Sequence, residues 1–258
     1  MALNEQLEKE GNFLFRNRGI LPIFILFSGL IAYFIHVREL VNKGENPNNR
    51  WYFFFCLCIT LIGFAIRIYA VGFSAPNTSG RNIDGQVADK LNTTGIYSLI
   101  RHPLYLGNFF MWLGLGLLTE NFWFICAFIF VYWVYYERIM FAEEQFLRRK
   151  FGESFREWAD QTPTFIPNFS KYKKPQTLFN VKKVFIQEKT GLLLIGILYF
   201  IFFETGTYVI SGKITVHYNF WFYFMIFGTV IYLAMKLSQK MSNVGVKHPR
   251  SEEQYSFR

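Results

Sequence analysis

The segment Gly95-Ile-Tyr-Ser-Leu-Ile-Arg-His-Pro-Leu-Tyr-Leu-Gly107 marks the point where a polar, basic stretch ends and an apolar helix begins. Proline is favoured at the first helical position, where its missing N–H would have no partner, so a helix is predicted to start at Pro103 with His102 near its N-cap. The unpaired N–H groups of a helix start carry partial positive charge and attract anions. With Arg101 and Tyr105 beside it, the segment predicts either an anion-binding site or an ordinary helix start with a surface arginine and histidine.

The composition of the whole chain is typical of a membrane protein. Of its 258 residues, 52% are hydrophobic and 21% aromatic, and only 17% are charged, which is low for a soluble domain. In a chain this apolar, the net charge of +9 indicates contact with anionic lipid headgroups rather than with nucleic acid. The three cysteines lie in apolar runs with no histidine nearby, so they predict neither a disulfide framework nor a metal site.

The hydropathy pattern predicts an all-α, polytopic membrane protein with about six transmembrane helices and a helical segment at the cytoplasmic face. The predicted spans cover residues 20–37, 51–72, 103–119, 121–136, 190–211 and 214–235. The third and fourth spans form a tight antiparallel hairpin, in which Gly107, Gly114 and Gly116 would allow close packing.

Polar segments separate these spans. The chain turns polar after Tyr136, which predicts a helix leaving the membrane over residues 137–155, with a break at Gly152, and an irregular basic segment over 163–189. Four regions are therefore predicted: N-terminal helices with their lead (1–72), a core of connector, hairpin and cytoplasmic helix (73–169), a basic linker (170–189), and two C-terminal helices with a loose tail (190–258).

The distribution of lysine and arginine predicts that both termini lie in the cytoplasm, because cytoplasmic loops carry the excess of positive residues. One side has three such residues in 1–19, four in 67–101, eleven in 137–191 and five in 236–258. The other has three in 38–50, none in 119–121 and one in 211–217. The site is then cytoplasmic, at the inner membrane if the organism is bacterial, and the hairpin should bring five side chains together: Arg101, His102, Tyr105, Glu143 and Glu144.

Three other charged positions each allow two interpretations. Arg67, near the end of the second span, either extends to the headgroups or contacts an anion. Glu204 marks either a polar cavity or the end of the fifth span, and the helix end is favoured. Glu144 and Arg148 are spaced i,i+4, so a surface ion pair is an alternative to a site role for this carboxylate.

Residues 95–167 resemble membrane methyltransferases of the isoprenylcysteine carboxyl methyltransferase type, and phospholipid N-methyltransferases share part of the pattern. The order and spacing of the matching pieces are specific to the superfamily and much less so to a substrate. Those pieces are Gly95-x-Tyr97, Arg101-His102-Pro103-x-Tyr105-x-Gly107, Glu143-Glu144-x-x-Leu147, Phe151-Gly152 and Ile166-Pro167. Upstream of them, Arg67-Ile-Tyr-Ala70 resembles the Arg-aromatic-Ala of the family at the end of the preceding span.

This resemblance implies S-adenosylmethionine as cofactor and a lipid substrate that enters sideways from the bilayer. The residues themselves show no metal-ligand cluster, so no metal is expected. An oxygen of the acceptor would attack the sulfonium methyl group. Arg67, Arg101 and Arg138 are the candidates for orienting an anionic acceptor. The residues implied in cofactor binding are Gly95, Tyr97, His102, Tyr105, Gly107, Glu143 and Glu144.

The chain departs from the family in its two additional C-terminal helices and its basic linker. Basic residues attract phosphorylated lipids, so lipid A 1-phosphate is the leading specific acceptor, against a prenylcysteine carboxylate or an ethanolamine amine. An amine would need a proton acceptor, for which the glutamates are candidates. Two other classes stay open: an NADPH-dependent membrane reductase of the sterol type and a non-catalytic scaffold.

Overall fold

The computed structural model describes residues 2–45, 47, 50–75, 78 and 86–244. The regular elements of this part of the chain are helices, and irregular segments connect them. Two short 3₁₀ turns, Ile96–Ser98 and Phe169–Lys171, accompany the α-helices. The predicted loose tail of residues 236–258 is wrong for residues 236–244, which are the end of the last helix, and residues 245–258 lie outside the described residues. The α-helices are α1 (Leu3–Arg16), α2 (Ile20–Asn42), α3 (Arg50–Phe73), α4 (Pro103–Leu117), α5 (Phe122–Phe151), α6 (Glu153–Gln161), α7 (Val181–Ser211) and α8 (Phe220–Val244).

The predicted all-α membrane fold is confirmed, with one change in the number of spans. Within the described residues, α2, α3, α5, α7 and α8 are long and apolar enough to cross a membrane. The remaining apolar helix, α4, starts at Pro103 as predicted but has 15 residues. At 1.5 Å per residue it is about 22 Å long, shorter than the ~30 Å hydrocarbon core of a bilayer. The six predicted spans are therefore five long helices and one shorter apolar helix.

Several helix boundaries differ from the predicted ones. The fourth span and the helix after it are one 30-residue helix, α5, which ends where Gly152 takes a positive φ of 54°. The segment 163–189 is not irregular throughout, because α7 already begins at Val181. The side chain of Asn180 accepts the Lys183 N–H at 2.8 Å and caps this helix. The last helix begins at Phe220, later than the predicted residue 214.

Glycines let α3 and α4 pack backbone to backbone. A Cβ on Gly107 would lie 2.6 Å from Arg67 Cγ and 2.8 Å from the Gly63 carbonyl oxygen, and one on Gly114 would lie 2.5 Å from the Cys56 carbonyl oxygen. These distances are shorter than any real Cβ contact, so only glycine fits. The predicted packing role is confirmed for Gly107 and Gly114. At Gly116 a Cβ would meet its neighbours at ordinary distances, starting at 3.8 Å.

The additional C-terminal helices are packed into the protein core. One buried cluster joins Tyr33 of α2, Phe53 of α3, Leu115 of α4, Tyr199 of α7 and Trp221 of α8. A second cluster joins α1 to α5 and to the first turns of α4. Because α7 and α8 share the first cluster with α2, α3 and α4, they are part of the same packed unit. Farther along α7, the Glu204 carboxylate accepts the His217 N–H at 3.0 Å, which agrees with the helix-end interpretation of this residue.

The segment before α7 is fastened to the rest of the chain, and residues 172–180 are called the strap below. The Lys173 carbonyl accepts the Gly95 N–H at 2.8 Å, and the Lys173 N–H donates to Ser98 Oγ at 2.9 Å. Farther along, the Asn180 N–H donates to the Gly72 carbonyl at 2.9 Å. The strap therefore fixes the start of α7 beside the end of α3 and beside the segment that leads into α4.

Candidate active site

A cavity of about 600 Å³ lies where the end of α3, the start of α4, the second half of α5 and the first turns of α7 meet. Its volume is within the range of small-molecule sites, about 300–1,000 Å³. The junction of α1 and α2 forms part of its wall. Besides His102, the titratable charges among its described lining residues are five arginine and lysine cations (Arg16, Arg18, Arg67, Lys90 and Arg101) and two carboxylates (Glu143 and Glu188).

His102 is held between two carboxylates at the start of α4. It is the N-cap residue as predicted, is buried, and makes no side-chain capping bond. Its Nε2 lies 2.9 Å from Glu144 Oε1, and its Nδ1 lies 3.5 Å from Glu143 Oε2. Burial lowers the pKa of His102, but the hydrogen bonds and charges of the two glutamates outweigh it, so the pKa is raised above its usual value. The geometry favours the imidazolium, in which both ring nitrogens donate.

Tyr105 lies one turn after His102 on α4 and binds Glu143, one of the two carboxylates beside His102. Its hydroxyl donates to Glu143 Oε1 at 2.8 Å, and its ring stacks on the His102 ring with centroids 5.7 Å apart. The Tyr132 hydroxyl donates to the Tyr105 carbonyl at 2.7 Å and ties this turn to α5. Tyr97 also lines the cavity, and burial raises its pKa, which keeps its hydroxyl protonated.

Arg101 joins the same network from the preceding residue. Its Nη1 donates to Glu144 Oε2 at 3.0 Å, and its Nη2 donates to Thr164 Oγ1. Its buried Nε has no hydrogen-bond partner among the described residues. Glu144 therefore pairs with Arg101 and His102, and the alternative of a surface ion pair between Glu144 and Arg148 is wrong. The structure brings together the five side chains that were predicted to converge.

Arg67 does not extend to the membrane surface, and it forms a buried ion pair on the cavity wall. Its Nε donates to Glu188 Oε2 at 2.9 Å, and its Nη2 donates to Glu188 Oε1 at 2.6 Å. Its Nη1 donates to Asn108 Oδ1 at 2.6 Å. The side chains of Arg67 and Glu188 are 15% and 3% exposed. The snorkelling interpretation of Arg67 is therefore wrong.

Sequence reasoning missed Glu188, which it placed in a basic, irregular linker. The charged residues of 181–189 lower the hydropathy of the first turns of α7 and hide the helix from a search for apolar runs. The Asn180 cap was the available signal, because asparagine is one of the preferred N-cap residues.

Four of the residues implicated by sequence do not line the cavity. Gly107 packs against α3, and Gly95, with a positive φ of 63°, pairs with the strap. Glu144 lies behind the cavity wall and binds two residues that line it, Arg101 and His102. Arg138 lies on another face of α5, where its Nε is 3.6 Å from Glu10 Oε2 of α1, so the structure does not support it as an acceptor-orienting residue.

The part of the chain that carries this network matches known proteins. The phospholipid methyltransferase family model matches residues 51–154. Protein-S-isoprenylcysteine O-methyltransferase B of Arabidopsis thaliana is 30% identical over 145 residues, which are 54% of this chain and 71% of that enzyme. The chain belongs to the isoprenylcysteine carboxyl methyltransferase-like superfamily of membrane methyltransferases. This membership supports an enzyme of the methyltransferase class.

Two proteins named for metal resistance are also similar to this chain. The cobalt-zinc-cadmium resistance protein CzcN of Cupriavidus metallidurans is 30% identical over 167 residues, 64% of this chain and 71% of CzcN. The nickel-cobalt-cadmium resistance protein NccN of Alcaligenes xylosoxydans xylosoxydans is 36% identical over 95 residues, 37% of this chain and 44% of NccN. This chain thus spans less than half the length of NccN. In the part of the chain that the structure describes, no three His, Cys, Asp or Glu residues are grouped to hold a metal ion. No solved structure matches the chain.

Proposed function

We propose that the protein is an S-adenosylmethionine-dependent methyltransferase that modifies an anionic oxygen of a membrane lipid. The observation that carries the proposal is a partly buried network, in which Arg101, His102, Tyr105 and Glu143 line a mainly cationic cavity and Glu144 supports them from behind its wall.

The residues present suit S-adenosylmethionine, which has a carboxylate, an amino group, ribose hydroxyls and an adenine ring. The start of α4 and the unpaired Arg101 Nε can hold a carboxylate, while Glu143 can accept from amino or hydroxyl groups. Tyr97 and Tyr105 offer aromatic and hydroxyl contacts. When bound, the cofactor supplies a methyl group on a positively charged sulfur.

The charge of the cavity favours an anionic acceptor over an amine. Five cations against two carboxylates attract a carboxylate or phosphate and repel an ammonium group. Carboxylates and phosphates are ionised at neutral pH and need no general base, so the protein has to position and desolvate them.

Between the two anions, we place a lipid carboxylate first and a lipid phosphate such as lipid A 1-phosphate second. A carboxylate agrees with the relatives named isoprenylcysteine O-methyltransferase, while the basic residues of the linker agree with a phosphate. The short α4 supports entry of the lipid from the bilayer, because the ~22 Å length of this helix leaves its start within reach of the acyl-chain region. The excess of lysine and arginine on the same face supports a cytoplasmic site.

The test uses purified protein in lipid nanodiscs with four probes of different chemistry. The probes are S-adenosylhomocysteine, N-acetyl-S-farnesylcysteine as a carboxylate lipid, hexadecyl phosphate as a phosphate lipid, and lysophosphatidylethanolamine as an amine lipid. We expect saturable S-adenosylhomocysteine binding by calorimetry and methyl transfer from labelled S-adenosylmethionine to an anionic probe. Methylation of the amine alone would contradict the anionic acceptor.

A pair of histidine variants connects the activity to the site. His102→Ala should lose S-adenosylhomocysteine binding and methyl transfer, while His217→Ala, in the connection between α7 and α8, should retain both. A wild-type protein that responds to NADPH and not to S-adenosylhomocysteine would overturn the proposal in favour of a reductase.

A further inference from the structure

The helix α7 reaches the cavity although it lies outside the residues that match the phospholipid methyltransferase family. The match ends at residue 154, whereas α7 begins at Val181. Two α7 residues, Gln187 and Glu188, line the cavity. A helix that merely covered the core would not need a buried carboxylate at this position, because burial of a charge is unfavourable unless it is paired.

We propose that Glu188 is a positioning residue that aims the Arg67 guanidinium at the anionic group of the acceptor. The inference rests on the proposed function. It means that α7 supplies a residue that helps to bind the acceptor. Arg67 would touch the acceptor directly, and Glu188 would act through Arg67.

The hydrogen bonds of Arg67 show what fixes the orientation of its guanidinium. A guanidinium has five N–H donors in one plane, and Glu188 accepts from two of them in a bidentate pair. Asn108 of α4 accepts a third. The two remaining N–H groups lie on Nη1 and Nη2, and a carboxylate or phosphate is the ligand whose geometry suits such a pair. The arginine is thus fixed in one orientation, with donor capacity left over on a cavity wall.

The packing around this pair keeps it rigid. The Arg67 side chain passes over Gly107, where a Cβ would come within 2.6 Å of Arg67 Cγ. On the other side, Gly191 of α7 lies against the Phe64 ring, 3.2 Å from the position of a Cβ. The strap and the Asn180 cap fix the start of α7, only two turns before Glu188. The orientation of Arg67 therefore depends on α3, α4 and α7 together.

The competing explanation is that the ion pair between Arg67 and Glu188 only stabilises the fold. Comparison of a single variant with a double variant distinguishes this explanation from a positioning role. Removal of one partner from a buried pair leaves an uncompensated charge, whereas replacement of both partners by apolar residues is often neutral for stability. The experiment therefore compares Glu188→Gln, the double variant Arg67→Met with Glu188→Met, and Glu204→Gln as the matched control. Glu204 is also an α7 carboxylate, but it binds His217 near the far end of the helix.

The measurements are the melting temperature, the Kd for S-adenosylhomocysteine, and the KM and kcat for N-acetyl-S-farnesylcysteine and hexadecyl phosphate. We expect Glu188→Gln to raise the acceptor KM by about tenfold or more, the loss that follows from one charge-assisted hydrogen bond, with the Kd within about twofold of wild type. The double variant should melt near wild type and still show the raised KM. Glu204→Gln should match wild type in all of these measurements.

Recovery of the wild-type KM in the double variant would show that the pair is structural and overturn the inference. An unchanged KM in Glu188→Gln overturns it as well, and if that variant does not fold, the double variant decides alone. A wild type that methylates no probe refutes the proposed function and this inference with it. A wild type that methylates a probe, with variants of unchanged KM, refutes only the inference.

Discussion

Replacement of Glu144 by glutamine tests whether this partly buried network supports the cofactor. The Glu144 carboxylate accepts from Arg101 Nη1 at 3.0 Å and faces His102 Nε2 at 2.9 Å, and its side chain is 20% exposed. Glutamine keeps one acceptor oxygen and turns an NH₂ group toward the other donor, so one charge-assisted hydrogen bond is lost. Such a bond contributes about 1.5–3 kcal/mol.

If this energy holds Arg101 and His102 in position for the cofactor, its loss weakens cofactor binding. The expected increase in the Kd for S-adenosylhomocysteine is roughly tenfold to a hundredfold, which corresponds to that energy. Isothermal titration calorimetry in nanodiscs measures it. The matched control is Glu137→Gln, two turns earlier on α5, where the carboxylate is 52% exposed. A Kd within twofold of wild type for Glu144→Gln, in a protein that melts normally, would refute the role of the network in cofactor binding.

Three other predictions test the site and its packing. Tyr105→Phe removes the 2.8 Å bond to Glu143 and keeps the stacked ring, so the cofactor affinity measured by calorimetry should fall by about 0.5–1.5 kcal/mol without loss of the fold. Gly114→Ala places a Cβ 2.5 Å from an α3 carbonyl and should lower the free energy of unfolding by about 1–3 kcal/mol. Gly116→Ala, whose Cβ would meet its neighbours at ordinary contact distances, should be neutral or stabilising when both variants are compared by thermal melting. The raised pKa of His102 adds stability that is complete below about pH 6.5 and is lost as the pH rises through the folded-state pKa. The melting temperature of wild type should therefore fall across that window more than that of His102→Gln, and equal slopes would contradict this.

The features that the sequence predicted correctly depend on local chemistry or on simple chain geometry. The start of α4 at Pro103 follows from the missing N–H of proline and needs no tertiary information. The meeting of His102 with Glu143 and Glu144 follows from the hairpin, because a helix that runs out and a helix that runs back must return to the same face. Both conclusions could be reached before any contact was known.

The partner of Arg67 could not be found in this way. Arg67 and Glu188 are 121 residues apart in sequence, and no local pattern connects them. The separation of Arg138 from the cavity has a different cause. It lies five residues before Glu143 on the same helix, which at 100° per residue turns its side chain about 140° away from that carboxylate. Nearness in sequence suggested a shared site, whereas the helical period points Arg138 toward α1 and Glu10.

The two halves of the proposed reaction meet on a single turn of α4. Tyr105 binds Glu143 on the side assigned to the methyl donor, and Asn108, three residues later, binds Arg67 on the side assigned to the acceptor. Residues spaced i,i+3 lie on one face of a helix, so the backbone of α4 sets the separation between the two sides. Methyl transfer needs its two reactants held in line at close range, and a rigid element that carries both binding groups satisfies this better than two independent loops. The close packing of α4 on α3 through Gly107 and Gly114 then serves the chemistry as well as stability, because any shift between these helices would move Arg67 relative to the donor side.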